Sequence, residues 1–123
     1  MTMDIKSYKD LEVWKKGIEI VDYTYDLTEN FPSHEKFSLA THMQKTAISI
    51  PSNVAEGYAR QYKKEYQQFC SIALGSCSEL ETQAIIAGRR NYIETQKLAH
   101  LEELLDHESR MLKSLVRALR GFK

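Results

Sequence analysis

The sequence predicts an all-α protein, an antiparallel up-down-up-down four-helix bundle with left-handed packing. Apolar residues recur at three- and four-residue spacing along four segments, and no segment alternates apolar and polar residues as a half-buried strand does. Short polar connections join the segments, which favours antiparallel neighbours. The same spacing favours shallow helix crossings of about 20°. A length of 123 residues suits one domain, residues 1–123, with its own core.

The first helix is predicted over residues 10–30, after an extended lead-in at residues 1–8. Ser7 or Asp10 can cap its start, and the Phe31-Pro32-Ser33 segment ends it. Its predicted inward seam consists of Leu11, Trp14, Ile18, Val21, Tyr25 and Thr28. A second apolar row consists of Val13, Ile20 and Leu27. One stripe is enough to bury a bundle helix, so the extra row predicts either a thick core or a subunit interface.

The second helix is predicted over residues 38–59, and its inward residues are Met43, Ala47, Ile50, Val54 and Tyr58. Pro51 falls inside this helix. A proline in a helix interior removes a backbone donor and costs about 3 kcal/mol unless something compensates. We expect it to free the carbonyl of Ala47 and to kink the helix at Pro51.

The third helix is predicted over residues 63–87, with Gly88 as its C-terminal stop. Its inward residues are Tyr66, Phe69 or Cys70, Ala73, Cys77, Leu80, Ala84 and Ala87. Cys70 and Cys77 lie two turns apart on this helix, about 10 Å along its axis. A disulfide requires Cα atoms within about 7 Å, so both cysteines are predicted to be reduced core residues.

The fourth helix is predicted over residues 94–120 on a leucine seam that Glu108 interrupts. The seam consists of Leu98, Leu101, Leu105, Leu112, Leu115 and Leu119. A second row on this helix consists of Leu104, Met111 and Ala118. Together with the extra row on the first helix, it predicts self-association of the bundle.

Composition narrows the class of protein. The chain has 17 basic and 17 acidic residues, so its formal charge is zero. Nonspecific nucleic-acid binding depends mainly on phosphate neutralisation, so this balance counts against a simple cationic binder but leaves room for a local basic face. The first residues carry no apolar signal core, and no apolar run approaches the roughly 20 residues that span a bilayer. We therefore expect a cytoplasmic protein with no membrane partner.

No motif in the sequence predicts an enzyme. A di-iron bundle needs a glutamate with a histidine three residues later on two helices, and the sequence has no such pair. No serine or cysteine lies in a nucleophile elbow or a phosphate-binding loop. Glu79 and Glu81 lie on different faces of one helix. The sequence therefore predicts no metal, no cofactor and no catalytic residue.

The segment from Ile50 to Arg60 places polar side chains in a helix that otherwise faces the core. We expect them to meet a polar row of the third helix and form a layer that fixes helix register. The predicted layer consists of Ser52, Asn53, Glu56, Arg60, Ser76, Glu79 and Gln83. Two alternatives stay open: a site for a ligand or partner, and an enzyme that uses Glu56, Arg60 and Glu79.

The last helix carries a basic stripe. The stripe consists of Arg110, Lys113, Arg117 and Arg120, extended by Lys123. No acidic residue follows Glu108, so one explanation is a charge distribution that complements the helix dipole. The other is a face that tracks phosphates, joined in an oligomer by Lys63, Lys64, Arg89 and Arg90. Aromatic residues are not interleaved with the stripe, which counts against sequence-specific reading of RNA.

Three segments resemble the small four-helix-bundle family encoded in intervening sequences of bacterial 23S ribosomal RNA genes, also labelled S23 ribosomal protein. They run from Tyr8 to Lys16, from Ala47 to Arg60 and from Gly75 to Gln83. The middle segment is specific through its Ile-Pro-Ser-Asn and Ala-Glu-Gly units. The resemblance implies a bundle that forms homo-oligomers, pentamers among them, and an association with ribosomal RNA.

A group related to that family includes the accessory variability protein of diversity-generating retroelements. That group pairs with a reverse transcriptase and uses a basic bundle surface for nucleic acid. The present chain is neutral overall, which departs from the strongly basic character of that accessory protein.

We therefore predict a non-enzymatic, oligomeric four-helix bundle that associates with ribosomal or other structured RNA through the basic stripe. One alternative is a protein-interaction scaffold that binds no nucleic acid and associates through apolar rows such as Val13, Ile20 and Leu27. Another, implied by the resemblance, is an accessory protein to a reverse transcriptase.

Overall fold

A computed structural model of the chain describes residues 5–121. Four α-helices account for most of this range: α1 at Glu12–Thr28, α2 at Leu39–Tyr58, α3 at Lys63–Arg89 and α4 at Thr95–Leu119. Two short 3₁₀ helices, Tyr8–Asp10 and Ser33–Glu35, precede α1 and α2. No strand occurs within residues 5–121, which confirms the all-α prediction. Each α-helix begins and ends within two residues of its predicted bounds.

Each helix packs against two others, because α1 and α3 both contact α2 and α4. Near one end of the α1–α2 pair, Gln44 donates a hydrogen bond to Thr28 at 2.9 Å. Towards the other end, Gly17 faces the ring of Pro51. The residue numbers rise along α1 as they fall along α2, so these two helices run in opposite directions.

The α3–α4 pair runs in opposite directions as well. Gly88 near the end of α3 faces Leu98 near the start of α4, whereas Lys64 and Arg120 line one hollow at the other end. These contacts support the up-down order of a four-helix bundle. The helix α2 is continuous through Pro51. The left-handed packing and the kink at Pro51 stay predictions.

The buried face of α1 differs from the predicted seam. The side chains that α1 buries are Val13, Gly17, Ile20, Thr24, Leu27 and Thr28. The row predicted as secondary therefore forms the core, and Trp14, Ile18 and Val21 only flank it. Gly17 and Thr24 complete this row at four- and three-residue spacing, but neither counts as apolar in a periodicity reading. The row of Val13, Ile20 and Leu27 is thus not available to a partner.

The core is otherwise aliphatic and small. Its fully buried side chains include Ile20, Met43, Ile50, Val54, Leu80, Leu101 and Leu112, and both cysteines lie among them as free thiols. On α4 the buried residues are Leu101, Leu104, Leu105, Glu108, Leu112 and Val116. Leu98, Leu115 and Leu119 are only partly buried, so the core takes residues from both predicted rows of this helix.

The N-terminal segment folds back on α1. Ser7 caps the first 3₁₀ helix, and its hydroxyl accepts from the backbone of Lys9 at 2.9 Å while the Asp10 carboxylate accepts from the backbone of Ser7. This places the ring of Tyr8 edge-on against Trp14, with the centroids 5.5 Å apart. The cap predicted for α1 therefore belongs to the 3₁₀ helix, because α1 begins one residue after Leu11 without a side-chain cap.

None of the helices in the described part of the chain combines the length and the apolarity needed to cross a membrane.

Candidate nucleic-acid interface

The basic stripe of α4 faces solvent. Arg110, Lys113, Arg117 and Arg120 are all exposed. Arg110 pairs with Asp106, one turn earlier, at 2.9 Å. Within residues 5–121 no carboxylate lies within salt-bridge distance of the other three cations. Lys123 lies outside the described residues. Three exposed positive charges therefore follow one another over the last turns of α4.

The start of α3 adds cations to the same end of the bundle. Lys64 and Arg120 line one hollow of about 530 Å³, together with Gln67, Gln68, Ser71 and Ile72. Lys63, the first residue of α3, is exposed beside it. The antiparallel pairing of α3 and α4 creates this cluster, because it brings the last turn of one helix beside the first turn of the other.

Arg89 and Arg90 belong to the opposite end of the bundle. The helix α3 runs from Lys63 to Arg89, a length of about 39 Å at roughly 1.5 Å per residue. Both arginines are exposed. Within one copy of the chain they cannot share a phosphate site with Lys63 and Lys64. The structure thus divides the predicted cations into two groups, one at each end.

The predicted polar layer does not form as expected. Ser52, Glu56 and Arg60 face solvent, where Arg60 pairs with Glu56 at 2.8 Å and lies over the ring of Phe69 at 4.7 Å. Asn53 bonds within its own helix, since its amide donates to the carbonyl of Ser49 at 2.7 Å. The reason is that Pro51, Val54 and Gly57 take the inward positions of this helix, so the residues between them turn outward.

A different serine connects α2 to α3. The hydroxyl of Ser49 is hydrogen-bonded to the buried hydroxyl of Ser76, with the two oxygens 2.6 Å apart, and it also donates to the carbonyl of Thr46. Of the predicted α3 row, Glu79 is exposed, and Gln83 has a buried Oε1 atom without a hydrogen-bond partner. The prediction that the two rows meet is therefore wrong: Ser76 does contact α2, but its partner Ser49 is not part of the predicted row. A polar contact between the helices exists, but it lies about one turn earlier on α2.

Glu108 is the most unusual group in the core. Its exposed fraction is 0%, and neither carboxylate oxygen has a hydrogen-bond partner. A Cβ atom on residue 17 would lie 3.3 Å from its Oε2 atom and 3.1 Å from Cβ of Pro51. The glycine therefore provides the room in which α1, α2 and α4 meet around this carboxyl group. One signal of this was visible in the sequence, because Glu108 interrupts the leucine seam.

Two of the sequence segments that resemble a known family meet on the surface between α1 and α2. Tyr8 and Trp14 come from the first segment, and Pro51, Ser52 and Ala55 come from the second. With Ile18, Val21 and Ile48 they line a shallow groove of about 270 Å³. Sequence reasoning placed these segments on separate helices but did not predict that they share one surface.

A model of the protein family described as 23S rRNA-intervening sequence protein matches residues 9–114. The chain belongs to this family. No curated protein matches the chain.

The matched range covers the groove except for Tyr8, and it includes the Ser49–Ser76 contact and Glu108. It ends before Arg117 and Arg120. Two of the three unpaired cations of the basic stripe therefore lie beyond the family match, so the match says nothing about their role.

Burial shifts the pKa values of three groups in the core. Burial raises the pKa of Glu108 to about 8, and the positive charge of Lys16 opposes this rise only in part. Burial also raises the pKa of Cys70 and of Cys77 to about 12, and the nearby Glu108 carboxyl adds to the rise. A hydrogen bond with Ser109 lowers the pKa of Cys77 by less. Neither thiol is therefore poised as a nucleophile.

Within the described residues no group of three or more histidine, cysteine, aspartate or glutamate side chains is arranged to hold a metal ion. His100 packs edge-on against Tyr23, with the ring centroids 4.8 Å apart.

Proposed function

We propose that this member of the family is a non-enzymatic, self-associating helical bundle that binds structured RNA through the cations at the end of α4 and the start of α3. The observation that carries the proposal is the exposure of Lys113, Arg117 and Arg120, because no carboxylate of the described residues lies within salt-bridge distance of them. Lys113 lines a small pocket with Glu81 and Asp106 but forms no ion pair with either. Lys64 adds a fourth cation, because it lines one hollow with Arg120.

Charge arithmetic explains why a local surface matters here. The whole chain is neutral, so its overall field does not attract a polyanion. Side chains that contact phosphates release counterions, and this release gives affinity that falls as salt rises. Unpaired cations can do this without first breaking a salt bridge. Arg110 is less suited to it, because Asp106 already neutralises it at 2.9 Å.

The experiment replaces the three unpaired cations together, as Lys113→Glu, Arg117→Glu and Arg120→Glu. The probe is an RNA hairpin, and the affinity is measured over a series of salt concentrations. We expect about a tenfold or larger loss of affinity and a salt slope shallower by about two to three units, since each lost phosphate contact removes roughly one unit. Circular dichroism would check that the helices persist.

A matched control separates this surface from total charge. The control variant changes the net charge by the same amount at three exposed lysines outside α3 and α4. It combines Lys9→Glu in the first 3₁₀ helix, Lys15→Glu in α1 and Lys45→Glu in α2. The control should bind the hairpin more tightly than the triple variant of α4. Equal losses in the two triple variants would contradict the assignment of the RNA surface to α4. No loss in either would leave the stripe as a complement to the helix dipole.

Self-association is supported by the groove between α1 and α2. Its apolar lining includes Trp14, Ile18 and Ile48, and Ile48 is 40% exposed. A second copy of the chain would cover this apolar surface. Ile48→Lys should lower the mass in solution, whereas Ile86→Lys, at a position on α3 that is 47% exposed, should leave it unchanged. A monomeric wild-type protein would contradict this part of the proposal.

A further inference from the structure

A hollow of about 600 Å³ opens beside the connection between α1 and α2. Its lining consists of Thr28, Glu29, Phe31, Ser33, Lys36, Phe37, Ala40, Thr41 and Gln44. The ring of Phe37 is 86% exposed, more than any other large apolar side chain in residues 5–121. Single exposed apolar residues are common on soluble proteins. Here, however, the exposed ring borders a concave site that also holds charged and hydrogen-bonding groups.

The groups around Phe37 supply three kinds of contact. The ammonium of Lys36 lies over one face of the ring, 5.5 Å from its centroid, so a positive charge covers that face. The amide nitrogen of Gln44 donates to Thr28 at 2.9 Å, which fixes that side chain and leaves its Oε1 atom as an acceptor. The carboxylate of Glu29 offers two further acceptors on the same lining.

We infer that this hollow takes one unpaired purine nucleotide of an RNA strand. This inference rests on the proposed RNA-binding function and adds a second contact to it. The base stacks on the face of the Phe37 ring that Lys36 does not cover, which is the contact that aromatic side chains make with single-stranded RNA. Lys36 lies close enough to that ring to neutralise the phosphate of the same nucleotide. Glu29 and Gln44 accept hydrogen bonds from the edge of the base.

The acceptors select among the bases. Guanine presents N1–H and an exocyclic amino group side by side, and two adjacent donors match the two oxygens of one carboxylate. Adenine offers an amino group but no neighbouring N–H donor on that edge, and uracil has no amino group. The hollow therefore favours guanine. Inosine differs from guanosine only by the missing amino group, so it tests this contact directly.

The hollow and the α4 cations lie towards opposite ends of the bundle. Phe31, on the lining, packs against Tyr92 between α3 and α4, with the ring centroids 5.3 Å apart. The start of α4 follows Tyr92, whereas Arg117 and Arg120 lie at its end, more than about 30 Å further along the axis. A mononucleotide in the hollow cannot reach those arginines, so its binding is independent of the proposed RNA surface.

The test titrates guanosine monophosphate into the full chain labelled with ¹⁵N and follows the amide resonances. We expect shifts confined to the α1–α2 connection, and weaker binding of inosine, adenosine and uridine monophosphates. Phe37→Ala should weaken guanosine monophosphate binding by roughly fivefold or more, while Phe37→Tyr should retain it. Glu29→Gln should remove most of the preference for guanosine over inosine monophosphate.

Several results would overturn the inference. The first is that no nucleotide shifts the amide resonances, and the second is that Phe37→Ala leaves the shifts unchanged. The third is that Phe37→Ala alters only the oligomeric mass, because the ring would then belong to a contact between protein chains. The proposed function would survive each of them if the triple variant of α4 still lost hairpin affinity. Conversely, Phe37-dependent nucleotide binding with an ineffective triple variant would support the hollow and contradict the α4 surface.

Discussion

The Oε2 atom of Glu108 faces the backbone of Gly17, and a side-chain carbon at residue 17 would lie 3.3 Å from it. The carboxyl group is fully buried there and accepts no hydrogen bond. A buried carboxylate without a partner is costly, so the group is held in its neutral form until the pH is well above the usual range of a glutamate. The burial of Glu108 therefore makes the stability of the bundle depend on pH.

Stability should fall as pH rises from about 4.5 to about 8. The folded chain holds the Glu108 proton up to a pKa of about 8, whereas the unfolded chain releases it near the ordinary value of 4.5. Below pH 4.5 the carboxyl group is protonated in both states, so it adds no pH dependence there. Between the two values the unfolded state is increasingly favoured, by at most about 4 to 5 kcal/mol in total. Urea unfolding at several pH values measures this loss.

Glu108→Gln should remove that loss, because the amide has nearly the same volume and does not ionise. The matched control is Glu103→Gln, which neutralises an exposed carboxylate on the same helix. We expect the Glu108 variant to gain stability over wild type at pH 8 and the Glu103 variant to follow the wild-type profile. A wild-type stability that stays level between pH 5 and pH 8 would contradict the burial of an unpaired Glu108.

Alanine substitutions at two glycines should have opposite effects on stability. At Gly57 a new Cβ would lie 2.9 Å from Cβ of Phe69 and 2.9 Å from the ring of Tyr66, so α2 and α3 would have to separate. We expect Gly57→Ala to cost about 1 to 3 kcal/mol. At Gly75 nothing lies within 4 Å, so Gly75→Ala should stabilise the exposed helix by about 0.5 to 1 kcal/mol.

Thermal and urea unfolding of both glycine variants gives the comparison. A stabilised Gly57→Ala variant would mean that α2 and α3 do not approach as closely as described.

The Ser49–Ser76 hydrogen bond should matter more than the ion pair between Glu56 and Arg60. Because Ser76 is buried, Ser49→Ala leaves the Ser76 hydroxyl without this partner. We expect the free energy of unfolding to fall by about 1 kcal/mol. Glu56→Ala breaks only an exposed pair on one helix and should change stability by less than about 0.5 kcal/mol. A double-mutant cycle on the two serines measures their coupling. The reverse ranking would restore the polar layer predicted from the sequence.

Both cysteines should resist thiol reagents in the folded protein at pH 8. Cys70 and Cys77 are buried, and burial raises the pKa of each to about 12, so almost no thiolate is present. Reaction with a disulfide reagent should be slow in buffer and complete in urea, where both thiols are exposed. Cys77→Ser tests whether any rapid reaction in buffer comes from the pocket it lines with Ser109. Fast modification without urea would contradict this burial.

Sequence periodicity could not predict which face of α1 is buried. The row of Trp14, Ile18 and Val21 is at least as apolar as the row of Val13 and Ile20. The row of Val13 and Ile20 is buried because Gly17, which lies in the same row, leaves space for Pro51 and Glu108. These two residues belong to other helices, so periodicity within α1 does not reveal them. Large side chains at the first row are then left to flank the core and to line the surface groove.

The candidate RNA surface divides in the same way. The spacing of Lys113, Arg117 and Arg120 along one helix could be read directly, since it depends only on the α-helical repeat. The neighbouring cation on α3 could not be read from the sequence. Lys64 lines one hollow with Arg120 only because α3 and α4 pair in an antiparallel way. The exposure of Phe37 beside a hollow could not be predicted either. A phenylalanine in a short connection belongs to no apolar repeat, so the sequence does not indicate whether its side chain is buried.

The sequence by itself determined four helices, their bounds to within two residues and the family resemblance, because helix formation and its end signals are local. The tertiary structure decided which stripe of α1 is buried, that Glu108 is enclosed without a partner, and that Ser49 rather than Ser52 bonds to α3. These outcomes depend on how the surfaces of several helices fit together, and that fit is set by pairs of residues far apart in the chain.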